Sequence, residues 1–166
     1  STNPVVYTVV SSEGDIKKYK VELFDIPVFL INTEGNASII NREDWLSATL
    51  RIIDDESTIE KTIKIKGRGN GSWQREMKAY SIKFDEKESI FGLPKSKRWV
   101  LLGHSSDWTK LRTPLSYKIS SIAGFDWSPR GYNIELILND SLRCNYFISE
   151  QIRVEKDRIN IKEMSP

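Results

Sequence analysis

The segment Lys66-Gly67-Arg68-Gly69-Asn70-Gly71-Ser72-Trp73 concentrates residue types that could hold an anion. Closely spaced glycines let successive backbone amides converge on one point, and Lys66 and Arg68 supply positive charge beside them. Lys78 follows a few residues later. Flanking the segment, Thr62–Lys66 and Tyr80–Phe84 alternate polar and apolar residues, which predicts a strand on each side. A dinucleotide fingerprint would need a third glycine where Ser72 stands, and a helix after it. A P-loop would need Gly-Lys-Ser/Thr. The arrangement suits a loop laid over nucleotide phosphates, but the pattern alone favours a twisted hairpin connection whose glycines adopt positive φ.

Other reactive side chains assemble less well. His104-Ser105-Ser106-Asp107 places hydrolase-type residues side by side, but a catalytic triad is built in space, and no Gly-x-Ser-x-Gly elbow is present. Asp107 reads as a helix cap. Cys144 and His104 are the single cysteine and single histidine, too few for a transition-metal site or an internal disulfide framework. The sequence thus assigns no catalytic residue and no metal ligand within this chain. Of the five tryptophans, Trp99 sits in an apolar run and reads as core, whereas Trp73 and Trp108 have polar neighbours and could face a ligand.

These residues must be positioned by a scaffold of short strands. Val5–Val10, Lys18–Phe24, Pro27–Thr33, Ala48–Ile53, Trp99–Leu102, Asn133–Leu138 and Tyr146–Ser149 join the two strands above, with a shorter candidate at Arg158–Ile161. Polar clusters at Ser12–Asp15, Glu34–Asn36, Asp54–Ser57 and Asp85–Glu88 read as turns. One helix is expected, capped by Thr113, entered through Pro114, and buried through Leu115, Ile119, Ile122 and Ala123. The chain has 166 residues, 39% hydrophobic and 29% charged, which suits one domain over residues 1–166. The expected class is α+β, a predominantly antiparallel sheet with one main helix. No apolar run is long enough to span a membrane, and the first residues show no charged-then-apolar leader pattern. A net charge of +2 gives no global attraction for nucleic acid.

The ordered blocks resemble the CotH kinase family, named for a spore-coat protein. Ile65-Lys66-Gly67-Arg68-Gly69-Asn70 with Trp73, then Lys78-Ala79-Tyr80-Ser81-Ile82-Lys83-Phe84, carry the likeness. It continues through Phe91-Gly92-Leu93-Pro94, Trp99–Leu102, Asp107 with Arg112, Glu135–Asn139, and Tyr146 with Glu150-Gln151-Ile152. Pro27–Thr33 resembles the opening strand, so the likeness spans about residues 27–161. Departures occur at Asn70-Gly71-Ser72-Trp73, at Met77-Lys78-Ala79-Tyr80 and at Thr113. They also occur at Asn139-Asp140, where the family has Asn-Gly, and at Cys144, where it has glycine.

The resemblance implies an atypical bacterial kinase that uses ATP with Mg or Mn to phosphorylate a protein substrate. The family's metal-binding aspartates are expected after Ile161, so the chain reads as the N-terminal, ATP-covering portion of such an enzyme, catalytically incomplete alone. Nucleotide contacts are then implied for Lys66, Gly67, Arg68, Gly69, Asn70 and Lys78, giving weak binding. Glu150 would orient Lys78, as in the kinase Lys–Glu pair. For Lys78 a solvated surface lysine is the competing reading, and for Glu150 a rim salt bridge. Family context implies an extracytoplasmic or cell-surface location. The alternative is a non-catalytic extracellular module that binds glycan or protein through exposed tryptophans and a sheet edge.

Overall fold

The computed structural model describes residues 5–21, 26–54 and 57–161. β1 (Val5–Val10) and β2 (Ile16–Val21) form a two-stranded antiparallel hairpin outside the main ladder. β2 begins two residues before the expected strand, whose end lies outside the described residues. The main body contains β3 (Val28–Thr33), β4 (Leu46–Ile53), β5 (Thr58–Arg68), β6 (Ala79–Glu88) and β7 (Ser96–Gly103). Helix α1 (Arg112–Ile122), β8 (Gly131–Leu138) and β9 (Ser141–Glu150) complete it.

The seven strands β3 to β9 close into a barrel in the order β3-β4-β5-β6-β7-β9-β8. Six neighbouring pairs are antiparallel, and the ring is shut by parallel pairing of Val28–Ile31 with Glu135–Leu138. This overturns the α+β expectation. Closure lets the sheet bury its apolar face on itself and leaves no open edge in the body, so no second layer is needed. The helix contributes no buried residue.

Alternation along each strand sends one phase inward. Phe29, Ile31, Leu50, Ile63, Ile65, Ile82, Phe84, Trp99, Leu101, Ile134, Leu136, Tyr146 and Ile148 fill a single core. The expected register of Ile63, Ile65, Ile82, Phe84, Trp99, Leu101 and Leu136 is therefore the observed one. The Asp85–Glu88 segment, read as a turn, instead continues β6, with a register irregularity after Lys83. No strand forms at Arg158–Ile161, where Val154 and Ile159 make an isolated parallel bridge.

Helix α1 starts one residue before Thr113, which lies inside it. The N-cap position is Leu111, which offers no side-chain cap, and the Arg112 amide is instead accepted at 2.8 Å by the Asp107 carboxylate, which also accepts the Thr109 hydroxyl at 2.7 Å. Leu115, Ile119 and Ile122 follow helical spacing but remain 56%, 55% and 75% exposed. The helix instead leans on the barrel through Tyr117, whose ring centroid lies 6.1 Å from that of Phe147 on β9.

The β8–β9 hairpin turns through Asn139 and Asp140, both at positive φ (49° and 58°), as a two-residue hairpin loop demands. Glu135 pairs with Asn145 but Ile137 with Leu142, so β9 carries an extra residue there, a bulge at Arg143-Cys144. Cys144 takes φ 63° in this bulge. A left-handed conformation costs a side chain roughly 1–2 kcal/mol, part of which glycine returns as chain entropy. Cys144→Gly is expected to raise stability by about 0.5–1 kcal/mol, read as a higher urea midpoint at unchanged slope.

Candidate functional site

One end of the barrel gathers the ends of β5, β8 and β3 with the starts of β6 and β4. The glycine segment lies at this end as a strand–loop–strand unit. Gly67 pairs with Tyr80 and Arg68 with Ala79 across β5 and β6, and the connection holds only a single 3-10 turn, Gly71–Gln74.

The loop is clamped from both sides. Gly67 donates its amide to the Asn41 carbonyl at 3.0 Å. A Cβ at this position would collide with that carbonyl and with the Trp73 ring, so close packing requires glycine. Gly69 needs φ 90°. Arg42 caps the loop from above, its Nη1 donating to the Gly69 carbonyl at 2.8 Å and to Asn70 Oδ1 at 2.9 Å. Lys78 closes it from below, its Nζ donating to the Trp73 carbonyl at 2.8 Å and standing 4.7 Å from the Trp73 ring centroid. Two cations thus hold the loop by its acceptors, and the Gly67 amide is spent inside the protein.

Strand parity separates the residues nominated from sequence. Gly67 continues the inward phase of Ile63 and Ile65, so Lys66 and Arg68 project outward. Lys66 reaches the Trp45 ring (4.9 Å) and the Glu43 carbonyl (3.4 Å). Arg68 lies near enough to act electrostatically on the Tyr117 hydroxyl. Lys78 precedes Tyr80 on the inward phase and sits at the barrel mouth.

Glu150 is not brought to Lys78. Lys78 is bridged to β9 through Tyr146, whose hydroxyl donates to the Lys78 carbonyl at 2.9 Å. Glu150 lies four residues further along β9, opposite Trp99, towards the other end of the barrel. Its carboxylate is buried and receives the Arg130 guanidinium in a fork, Nε to Oε2 and Nη2 to Oε1, each at 2.9 Å. Arg158 approaches from the other side at 3.8 Å. The kinase-type Lys–Glu pair is thus replaced by an Arg–Glu–Arg cluster, buried rather than on a rim.

The mouth itself is a cavity of about 340 Å³. Lys78, Arg143, Glu76, Tyr80 and Asn139 are among the residues that line it. Sequence reasoning missed Arg143, which the bulge swings to the opening. Its charge works against the burial that pushes the Tyr80 and Tyr146 hydroxyls above their ordinary range, so it stands close to both. Asn139 fixes the rim, its Oδ1 accepting the Thr33 amide at 2.9 Å. Lys78, Arg143 and the Tyr80 phenol around a small concavity outweigh the single carboxylate of Glu76 and suit an anionic group.

A second cavity of about 500 Å³ opens beside it, lined by Met77, His104, Asp107 and Trp108 among others. Trp108 is 99% exposed there, whereas Trp73 packs edge-on against Tyr80. Burial pushes the His104 imidazole below its ordinary value. Among the described residues, no three His, Cys, Asp or Glu side chains stand together as metal ligands, and no helix is long and apolar enough to cross a membrane.

Fold and site together define a small closed β-barrel with a basic mouth bounded by a clamped glycine loop. A family model described as CotH kinase protein matches residues 65–164, more than half of the chain, and the chain belongs to that family. The match begins at Ile65 within β5, so Pro27–Thr33 falls outside it, although β3 is part of the same barrel. No curated protein matches the chain.

Proposed function

We propose that the barrel mouth binds the phosphates of ATP, and that the chain is the ATP-covering portion of a CotH-like kinase, incomplete for phosphoryl transfer alone. The observation that carries this reading is the convergence of Lys78 and Arg143 on one cavity beside the glycine loop. Lys78 would neutralise phosphate charge while its bond to Trp73 holds the loop in place. Arg143 would offer a planar fork to a second phosphate oxygen. Lys66 and Arg68, on the outer face, take no part in this contact.

Glu76 is the single acidic residue lining the mouth, so it alone among these residues would help to hold a divalent ion beside the phosphates, where such an ion would neutralise their charge. Phosphoryl transfer rests on positioning and on stabilising developing charge, so a half-built site attracts polyphosphate without catalysing transfer.

Titration calorimetry tests this. A dissociation constant on the order of 1 mM is expected for ATP, about −4 kcal/mol. Lys78→Ala and Arg143→Ala should each weaken binding about tenfold, matching the loss of one charge-assisted hydrogen bond. Binding unchanged in both variants would remove the mouth from the account. Label transfer from ATP to the chain or to an added protein would show that the site is complete.

A further inference from the structure

We propose that the outer face of β5, β6 and β7 is a docking surface for an acidic peptide segment in extended conformation. The face is built by register. Lys64 on β5 stands directly opposite Lys83 on β6, and Lys83 directly opposite Arg98 on β7. All three are on the outward phase of their strands, between the buried positions of the core. Three like charges therefore form one row across three strands, at about 4.8 Å per step. Along β5 the same face continues through Lys66 and Arg68, spaced by two residues or about 6.8 Å.

Like charges placed directly opposite one another oppose folding. Several other strand cations are compensated by carboxylates. Arg51 pairs with Glu60, Lys61 with Glu88, and Lys97 with Glu86. Among the described residues, Lys64, Lys66, Arg68, Lys83 and Arg98 have no ion pair at all. Glu43 meets Lys66 through its backbone carbonyl, while its carboxylate accepts the Arg42 amide. Trp45, just before β4, gathers the cations further. Its ring centroid lies 4.9 Å from Lys66 Nζ and 5.5 Å from Arg98 Cζ, so the two heads are drawn together across β6. The fold thus concentrates positive charge at a cost and leaves it unanswered internally.

The geometry favours a peptide over a nucleic acid. Alternate side chains of an extended peptide recur at the spacing of Lys64, Lys66 and Arg68, so carboxylates at every second position meet them one for one. A single-stranded nucleic acid wants an open aromatic platform for its bases, and Trp45 already carries two cations. The peptide must lie across the face through its side chains, because β5 and β6 are hydrogen-bonded on both sides and offer no edge.

Fluorescence anisotropy on the full chain tests the proposal, using a short dye-labelled peptide of alternating Glu and Thr at low and physiological salt. A Lys-Thr peptide and an oligothymidylate of matching length serve as comparisons. Saturable binding of the Glu-Thr peptide is expected, weakening with salt, and the Lys-Thr peptide should not bind. The double variant Lys64→Thr/Lys83→Thr should bind about tenfold more weakly while its urea midpoint rises, because the like-charge row is relieved. Arg51→Thr, which removes a paired cation on β4, should leave binding unchanged. Failure of the Glu-Thr peptide to bind, or equal binding by the double variant, would overturn the proposal. Tighter binding of the oligothymidylate would replace the peptide with a nucleic acid.

Discussion

Glu150→Ala is expected to lower stability by about 3 kcal/mol, the lower end of the range for breaking a buried ion pair, because Glu155 still faces Arg158. Glu150 is 1% exposed, and the Arg158 side chain beside it is equally buried. Removing the carboxylate leaves Arg158 with Glu155 Oε2 at 3.6 Å, two backbone carbonyls, those of Arg98 and Gln151, and the face of Trp99. Its Nη2 already has no partner. The cluster's balance shows in its titration: Glu150 holds Arg130 above its ordinary range, whereas burial pulls Arg158 below its own. Arg130 is half-exposed, so Arg130→Ala should cost far less. Glu150→Leu combined with Arg158→Met should recover most of the loss, since a well-packed apolar replacement carries no desolvation penalty. Urea denaturation of the three variants beside the wild type measures this. A Glu150→Ala chain as stable as wild type would mean that water or a rearranged side chain compensates Arg158.

Residues 65–164, the span matched by the family, are expected not to fold alone. That piece lacks β3, β4 and most of β5. Phe29, Ile31, Leu50, Ile52 and Ile63 would be lost from the core, each worth roughly 1.5–3 kcal/mol of burial. The sum, about 7.5–15 kcal/mol, matches the whole stability of a typical domain, about 5–15 kcal/mol. Circular dichroism should show no cooperative thermal transition for this piece, whereas residues 26–161 should unfold cooperatively. A sharp transition in the shorter piece would mean that its strands close on themselves in another register.

How much of this was legible in the sequence depends on what carried each feature. The core was legible because alternation is local: Ile63, Ile65, Ile82 and Phe84 each announce their phase through their neighbours. The same parity rule assigns Lys66 and Arg68 to the outside and Glu150, with Tyr146 and Ile148, to the inside, yet the family resemblance pooled Lys66, Arg68 and Glu150 into one site. Barrel closure was not legible, because β3 and β8 meet across most of the chain and no local signal marks the pairing. Helical spacing predicted α1 but not its partner. Leu115, Ile119 and Ile122 define a face without saying what it touches. Arg143 was hidden by a bulge, whose trace in the sequence is Cys144 at a position the family fills with glycine.

The parallel seam between β3 and β8 also sets the order of assembly. It joins Val28 to Glu135, 107 positions apart. The β4-β5-β6-β7 meander needs only neighbouring segments, whereas the seam pays the loop-closure entropy of the longest excursion in the barrel. The last strands to meet should therefore be β3 and β8, after the rest of the sheet has curled. Until they do, each offers an unpaired row of backbone groups, and another chain can fill the gap sooner than the correct strand. Refolding yield should fall steeply with protein concentration while the refolding rate does not, and slow synthesis or dilution should favour the closed barrel.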